Sequence, residues 1–196
     1  MEKEQRSNVE FIPQFEKSFL LPKYWGAWVG VGTMVAMAYL PVRLRDPILA
    51  TVGRWAGKLA GGARRRARIN LLYCFPELTE AQREDIIDRM FERAGQSMFL
   101  MAELTLRDPQ RVLKRTRWHG MEHIEALRES GKNAIFLVPH GWAVDIPAML
   151  LAAQGQPMAA MFHNQKNKMV DWLWNTCRRR FGGRMHARDD GIKPFI

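Results

Sequence analysis

The sequence predicts an α/β protein: an N-terminal transmembrane helix and a helical segment, followed by a mixed sheet flanked by helices and incomplete at the C-terminus. Three observations predict it. No charged residue occurs from Tyr24 through Val42. Apolar residues then keep helical spacing from Ile86 to about Leu106. After Trp118, short apolar runs alternate with helical patterns, as strands and crossover helices do in a partly parallel sheet. A length of 196 residues suffices for one core plus an appended segment. The expected organisation is a polar N-terminal segment (1–23), a transmembrane helix (24–42), a basic amphipathic and helical region (43–110) and the first part of an α/β domain (111–196).

Residues 1–23 carry Glu2, Glu4, Glu10 and Glu16 against Lys3, Arg6, Lys17 and Lys23. The 19-residue run that follows would, as a helix, just cross a hydrocarbon layer of roughly 30 Å. Tyr24, Trp25 and Trp28 at one end and Tyr39 near the other resemble an aromatic belt. A buried hairpin or core helix is the alternative. Residues 43–68 hold eight bases (Arg43, Arg45, Arg54, Lys58, Arg64, Arg65, Arg66, Arg68) against one acid, Asp46, which places the bulk of the chain on the cytoplasmic side. Ile48, Leu49, Val52, Trp55, Ala56 and Leu59 share one side of a helix, with Arg54 and Lys58 opposite. Such a helix lies on an anionic leaflet or packs on the domain with its basic face solvated.

Pro76 closes the next helix, and Thr79-Glu-Ala-Gln82 has the form of a capping box. Ile86, Ile87, Met90, Phe91, Ala94, Met98 and Met101 or Ala102 then form a core stripe, which Asp108-Pro109 ends. The α/β part is expected to contain an edge strand at 117–119, a helix at 122–129 and a strand at 134–138. A helix at 145–153, a strand at 158–162, a helix at 168–181 and a strand at 184–186 follow. Residues 191–196 have the form of a helix opening, so the sequence is expected to be a piece of something longer.

The balance of 30 Lys and Arg against 20 Asp and Glu points to an anionic partner: nucleic acid, phosphorylated lipid, membrane surface or acidic carrier protein. Nucleic acid is the weakest of these, because a membrane segment already accounts for the charge. Cys74 and Cys177 imply no disulfide framework and lack metal spacing; buried neutral thiols are expected. No phosphate loop, metal cluster or dinucleotide fingerprint occurs, so no cofactor is expected.

The chemistry is expected at Pro139-His-Gly-Trp-Ala-Val-Asp145. A strand ending at His140, a turn at Gly141 and a helix opening at Asp145 would aim an imidazole into a cleft with its orienting carboxylate alongside. His140 could then take a proton from a hydroxyl while Asp145 fixes the tautomer and steadies the imidazolium. No Ser or Cys has nucleophile-elbow context, so direct attack by a substrate hydroxyl fits better than an acyl-enzyme. Arg178, Arg179, Arg180, Arg184 and Arg188, with His186 among them, suit phosphate or oxyanion recognition. For Arg178 to Arg180 a solvated helix end is the alternative. Asn164, in His163-Asn-Gln165 after a strand, could line the same cleft.

His140-Gly-Trp-Ala-Val-Asp145, Phe162-His-Asn-Gln165, Asp171-Trp-Leu-Trp-Asn175 with Arg178 and Arg180, and the stretch 181–195 resemble the late acyltransferases of lipid A biosynthesis. Tyr24-Trp-Gly-Ala-Trp28, Arg45-Asp-Pro-Ile48 and Cys74-Phe-Pro-Glu77 extend the resemblance over essentially the whole chain. It implies a glycerolipid-acyltransferase-like fold and a single-pass enzyme of the Gram-negative inner membrane, its catalytic part cytoplasmic. The enzyme would move a fatty acyl, myristoyl, chain from acyl carrier protein to the hydroxyl of a 3-hydroxyacyl chain on a phosphorylated lipid A precursor. His140 would be the base, Asp145 its partner and Arg188 the family's arginine after the third strand, holding phosphate or oxyanion. Family members continue past the position of Ile196, so a C-terminally truncated chain is expected. A noncatalytic membrane-anchored remnant that only binds anionic lipid is the alternative.

Overall fold

The computed structural model describes residues 11–191, and Pro41 decides its first long helix. The charge balance expected over residues 1–10, and the helix opening beyond Gly191, lie outside the described residues. Two 3-10 turns, Lys17–Leu20 and Pro22–Tyr24, lead into α1, Trp25–Tyr39. Leu40 is extended (φ −70°, ψ 140°) and a new helix begins at Val42. This corrects the expected transmembrane helix. Proline forces the residue before it out of the helical region, so the charge-free run is cut to 15 helical residues, about 22 Å. Among the described residues no helix is long and apolar enough to cross a membrane.

The helical region is built on α2, Val42–Leu59, crossing α4, Glu80–Leu106, with α3, Gly61–Cys74, between them in the chain. The capping box forms as expected: Thr79 Oγ1 accepts from the Gln82 amide at 3.3 Å, and Gln82 Oε1 accepts from the Thr79 amide at 2.8 Å. Of the expected apolar stripe on α2 Leu49 alone is buried, and the buried face is Arg45, Leu49, Gly53 and Gly57, spaced every four residues. A Cβ on Gly53 would lie 2.4 Å from the Phe91 carbonyl oxygen, and one on Gly95 would lie 3.0 Å from the Leu49 carbonyl oxygen. Glycine here allows backbone-to-backbone contact, and the exposed side of α2 keeps Leu44, Ile48, Val52, Trp55 and Leu59. Gly53→Ala is therefore expected to cost about 1–3 kcal/mol in urea unfolding. Gly26→Ala, which meets nothing within 4 Å, is expected to be neutral or slightly stabilising. Equal losses at both positions would remove the close crossing.

Part of the basic collar is neutralised internally. Arg64 pairs with Glu84 (2.7 Å) and Asp88 (2.6 Å), Arg68 with Glu84 (2.6 Å), and Arg54 Nε with Glu92 (2.6 Å). Neither expected placement is seen for those arginines: their charges are paired with acids of α4, while the apolar side of α2 is the exposed one. Cys74 is exposed at the end of α3, against the expectation of burial, whereas Cys177 is buried.

The C-terminal part contains α5, Gln110–Leu113; α6, Met121–Glu129; α7, Asp145–Ala153; β1, Ala159–Phe162; α8, Lys168–Arg178; and β2, Arg184–Ala187. The strands pair in parallel with Phe162 opposite Ala187. The parallel layer is thus present but has two strands among the described residues. The strand expected at 117–119 is irregular chain. The strand expected at 134–138 is not formed either: Ile135 is 97% and Leu137 99% exposed, while Phe136 and Val138 are each 47% exposed. The exposure alternates as in a strand, but no strand among the described residues pairs with the segment. Apolar content alone does not make a strand; the ladder on its edges does.

The main core joins Met101 and Leu104 of α4, Val112 of α5, Ile146, Met149 and Leu150 of α7, and Cys177 of α8. The N-terminal stretch builds two further clusters. Phe11 donates its amide to the Met185 carbonyl (3.0 Å) and meets Phe162 edge-on at 4.9 Å, while Phe19, Tyr24 and Trp28 pack with Trp172 and Met169.

Candidate active site

Asp145 is the first residue of α7, where the helix field favours a carboxylate. The turn before it is set by hydrogen bonds from Val144 N to Gly141 O (3.2 Å) and from Ile146 N to Ala143 O (3.0 Å). Pro147 falls in the first helical turn, where its missing amide costs nothing. Opposite lies α8, whose start is fixed by Asn167 Oδ1 accepting from the amides of Met169 (3.1 Å) and Val170 (3.2 Å).

Trp174 and Arg178 are four residues apart, so they share a face of α8, and both reach Asp145. Arg178 Nε donates to Oδ1 at 2.9 Å and Nη2 to Oδ2 at 3.1 Å, a two-pronged fork. Trp174 Nε1 donates to Oδ2 at 3.2 Å. Arg178 Nη1 also reaches Asn175 Oδ1 at 3.3 Å, and the Asn175 side chain is buried. Three donors thus hold one carboxylate, whose roughly four acceptor positions leave room for an imidazole N–H. Beneath the pair, burial pushes the Cys177 thiol up against smaller opposing effects of Thr105 and Arg178, which leaves it neutral and no nucleophile.

The sequence-predicted residues separate into four places. Asp145 and Arg178 meet directly. Asn164 and Arg188 follow β1 and β2, and because those strands are parallel in register both sit at the carboxyl edge of the sheet, exposed. His140 lies in the exposed lead-in to α7, and no described residue hydrogen-bonds its imidazole. It therefore does not end a paired strand as expected, because 134–138 has no ladder to hold it. Arg180 is turned away from Asp145: its Nε donates to the Thr105 carbonyl of α4 at 3.1 Å and its guanidinium covers the Phe181 ring. Arg178 likewise acts on Asp145 in this structure, where the sequence suggested substrate phosphate. The residue missed by sequence reasoning is Trp174; its spacing of four from Arg178 was the available signal.

The model of the family described as bacterial lipid A biosynthesis acyltransferase matches residues 12–196. The chain is 60% identical over 192 residues to the lipid A biosynthesis myristoyltransferase of Escherichia coli (strain K12), an alignment covering 98% of this chain and 59% of that relative. It is 46% identical over 190 residues to a lipid A biosynthesis acyltransferase of Haemophilus influenzae, covering 97% and 60%. It is 29% identical over 189 residues to the lipid A biosynthesis lauroyltransferase of Escherichia coli, covering 94% and 60%. The chain spans about three-fifths of the length of these curated relatives. No solved structure matches it. With the His140-to-Asp145 stretch inside the matched residues, the chain belongs to the bacterial lipid A biosynthesis acyltransferase family.

Proposed function

We propose that the protein transfers a fatty acyl chain, myristoyl by the name of one relative, from the thioester of acyl carrier protein to a lipid A precursor. The acceptor is the hydroxyl of a 3-hydroxyacyl chain. His140 takes the hydroxyl proton as the oxygen attacks the thioester carbonyl; the new ester bond forms, the carbon–sulfur bond breaks, and the proton passes to the departing carrier thiolate. Asp145 orients the imidazole and balances its charge. Arg188 and Asn164, at one edge of the sheet, hold the oxyanion or a substrate phosphate. No cofactor takes part. The observation that carries this reading is the Asp145 carboxylate, fixed by three donors five positions after His140 within the family's matched region.

The place of action is the cytoplasmic leaflet of the inner membrane, reached from the surface. Leu44, Ile48, Val52, Trp55 and Leu59 make an exposed apolar line along α2, with Lys58 over the Trp55 ring and Arg65 and Arg66 exposed on α3; these three bases pair with no acid among the described residues. The acidic carrier and the phosphorylated glycolipid both suit the net charge of +10, and no nucleic-acid partner is required. A second reading, a noncatalytic binder of anionic lipid, is favoured by one observation: the His140 imidazole is exposed without a described partner.

Incubating the purified chain with labelled myristoyl-acyl carrier protein and the lauroylated lipid A precursor separates them. Label in the glycolipid is the expected result. Intact donor thioester together with retained lipid binding would leave the second reading.

A further inference from the structure

Beside the 3-10 turns that precede α1, a cleft of about 610 Å³ is lined by Glu16, Ser18, Lys23, Tyr24, Lys166, Asn167 and Lys168. Three lysines face it against one carboxylate, and that carboxylate already accepts the Ser18 hydroxyl at 2.9 Å. None of the three lysines pairs with an acid among the described residues. Asn167 caps the amides at the start of α8, so the lysines, not the helix end, supply the charge here.

One residue further along the chain, a groove of about 500 Å³ is lined by Leu20, Trp25, Trp28 and Val29. Both indole N–H groups are spent on backbone carbonyls, Trp25 on Leu20 (3.1 Å) and Trp28 on Phe19 (2.9 Å). The rings therefore offer hydrocarbon faces to the groove and no donor. Both are open depressions of the surface. Their joining segment is anchored rather than loose, because Phe19 and Tyr24 are buried against Met169.

We propose that the cleft and the groove are the two halves of one site for a single phosphorylated lipid, its phosphate among Lys23, Lys166 and Lys168 and a chain along Leu20, Trp25, Trp28 and Val29. A phosphate with a chain attached satisfies both halves. Free phosphate uses one, and a zwitterionic lipid brings no net charge to the lysines. The site shares no residue with His140, Asp145, Asn164, Arg178 or Arg188.

The test uses the full chain and a short-chain phosphatidic acid brominated on its acyl chains, kept below the concentration at which it forms micelles, with tryptophan fluorescence as readout. Saturable quenching is expected, and it is lost in Trp25→Phe/Trp28→Phe. Lys23→Gln/Lys166→Gln/Lys168→Gln raises the apparent Kd by roughly tenfold, the sum of three exposed charge contacts. Arg128→Gln/Lys132→Gln, exposed elsewhere on the surface, leaves it unchanged. Equal weakening by the two sets of substitutions would mean diffuse attraction to a basic protein and would overturn the site. So would equal quenching by the brominated phosphatidylcholine counterpart, or displacement of the lipid by an equal concentration of inorganic phosphate.

Discussion

Replacing His140 with alanine is expected to lower acyl transfer by roughly 10³-fold, the scale of a lost general base. Arg178→Gln is expected to lower it by roughly 10²-fold, the scale of losing a group that positions another. The two losses differ in kind. Arg178 holds both oxygens of Asp145 at 2.9 and 3.1 Å, so it acts through the carboxylate and not on the reacting atoms. Its loss should fall on kcat, with the KM for the glycolipid little changed. A phosphate ligand would behave oppositely, raising KM at unchanged kcat, because it binds ground state and transition state alike. The indole N–H of Trp174, 3.2 Å from Asp145 Oδ2, gives a readout that needs no turnover. Its proton resonance is expected to shift in Arg178→Gln, as the carboxylate turns, and to stay in place in His140→Ala. Arg178→Lys keeps the charge but loses the fork and recovers only part of the rate. A glycolipid KM effect with an unmoved indole signal would return Arg178 to phosphate binding.

What could be read from the residues follows from how local each cause is. The Thr79–Gln82 cap and the helices over 80–106 and 145–153 depend on neighbours within four positions and form as expected, but of the expected core stripe Ile87, Met101 and Ala102 are buried while Met98 is 47% exposed. The parallel pairing of β1 with β2 also followed from the intervening helix, which a parallel crossover needs. Pro41 is equally local: one ring that cannot continue a helix overrides the absence of charge over 24–42. The buried face of α2 was hidden for another reason. Apolar residues mark a face that can be buried, whereas Gly53 and Gly57 mark one that another backbone must approach, and only the partner, Phe91, distinguishes the two. In the site, Asp145 was legible because its chemistry lies in its own side chain. The fork from Arg178 joins residues 33 apart and required α8 to be packed against α7. The lead-in to His140 shows the limit of composition: Ile135 to Val138 has the residues of a buried strand, but burial needs partners on both edges.

Glu103→Ala is expected to destabilise the protein by about 3–5 kcal/mol, more than any other single change in the helical region. Glu103 and Arg45 are 1% and 2% exposed, and Arg45 Nη1 donates to Glu103 Oε2 at 2.6 Å. Arg115 closes the other oxygen at 2.8 Å, and Asp46 takes the Arg45 Nε at 2.9 Å. The carboxylate thus ties α2, α4 and the chain after α5 at one buried point. Removing it strands a guanidinium that only Asp46, itself partly exposed, can meet. The dependence on pH fixes the cause. Burial is the largest single influence on Glu103 and opposes its charge, but the hydrogen bonds from Arg115 and Arg45, with their attraction, together outweigh it and hold the carboxyl below its ordinary value. A carboxyl depressed in the folded state contributes its stability in full above the unfolded value of about 4.3 and loses it as pH falls through the lower folded value. Urea unfolding of wild type and Glu103→Gln should therefore differ most near neutral pH and converge below about pH 4. A gap that stayed constant across that range would assign the loss to packing. Replacing Arg45 and Glu103 together with methionine then separates the remaining alternatives, because it removes both charges while filling the space. Recovery of most of the lost stability is expected there, since the larger cost of the single change lies in the charge left behind and not in the value of the pair.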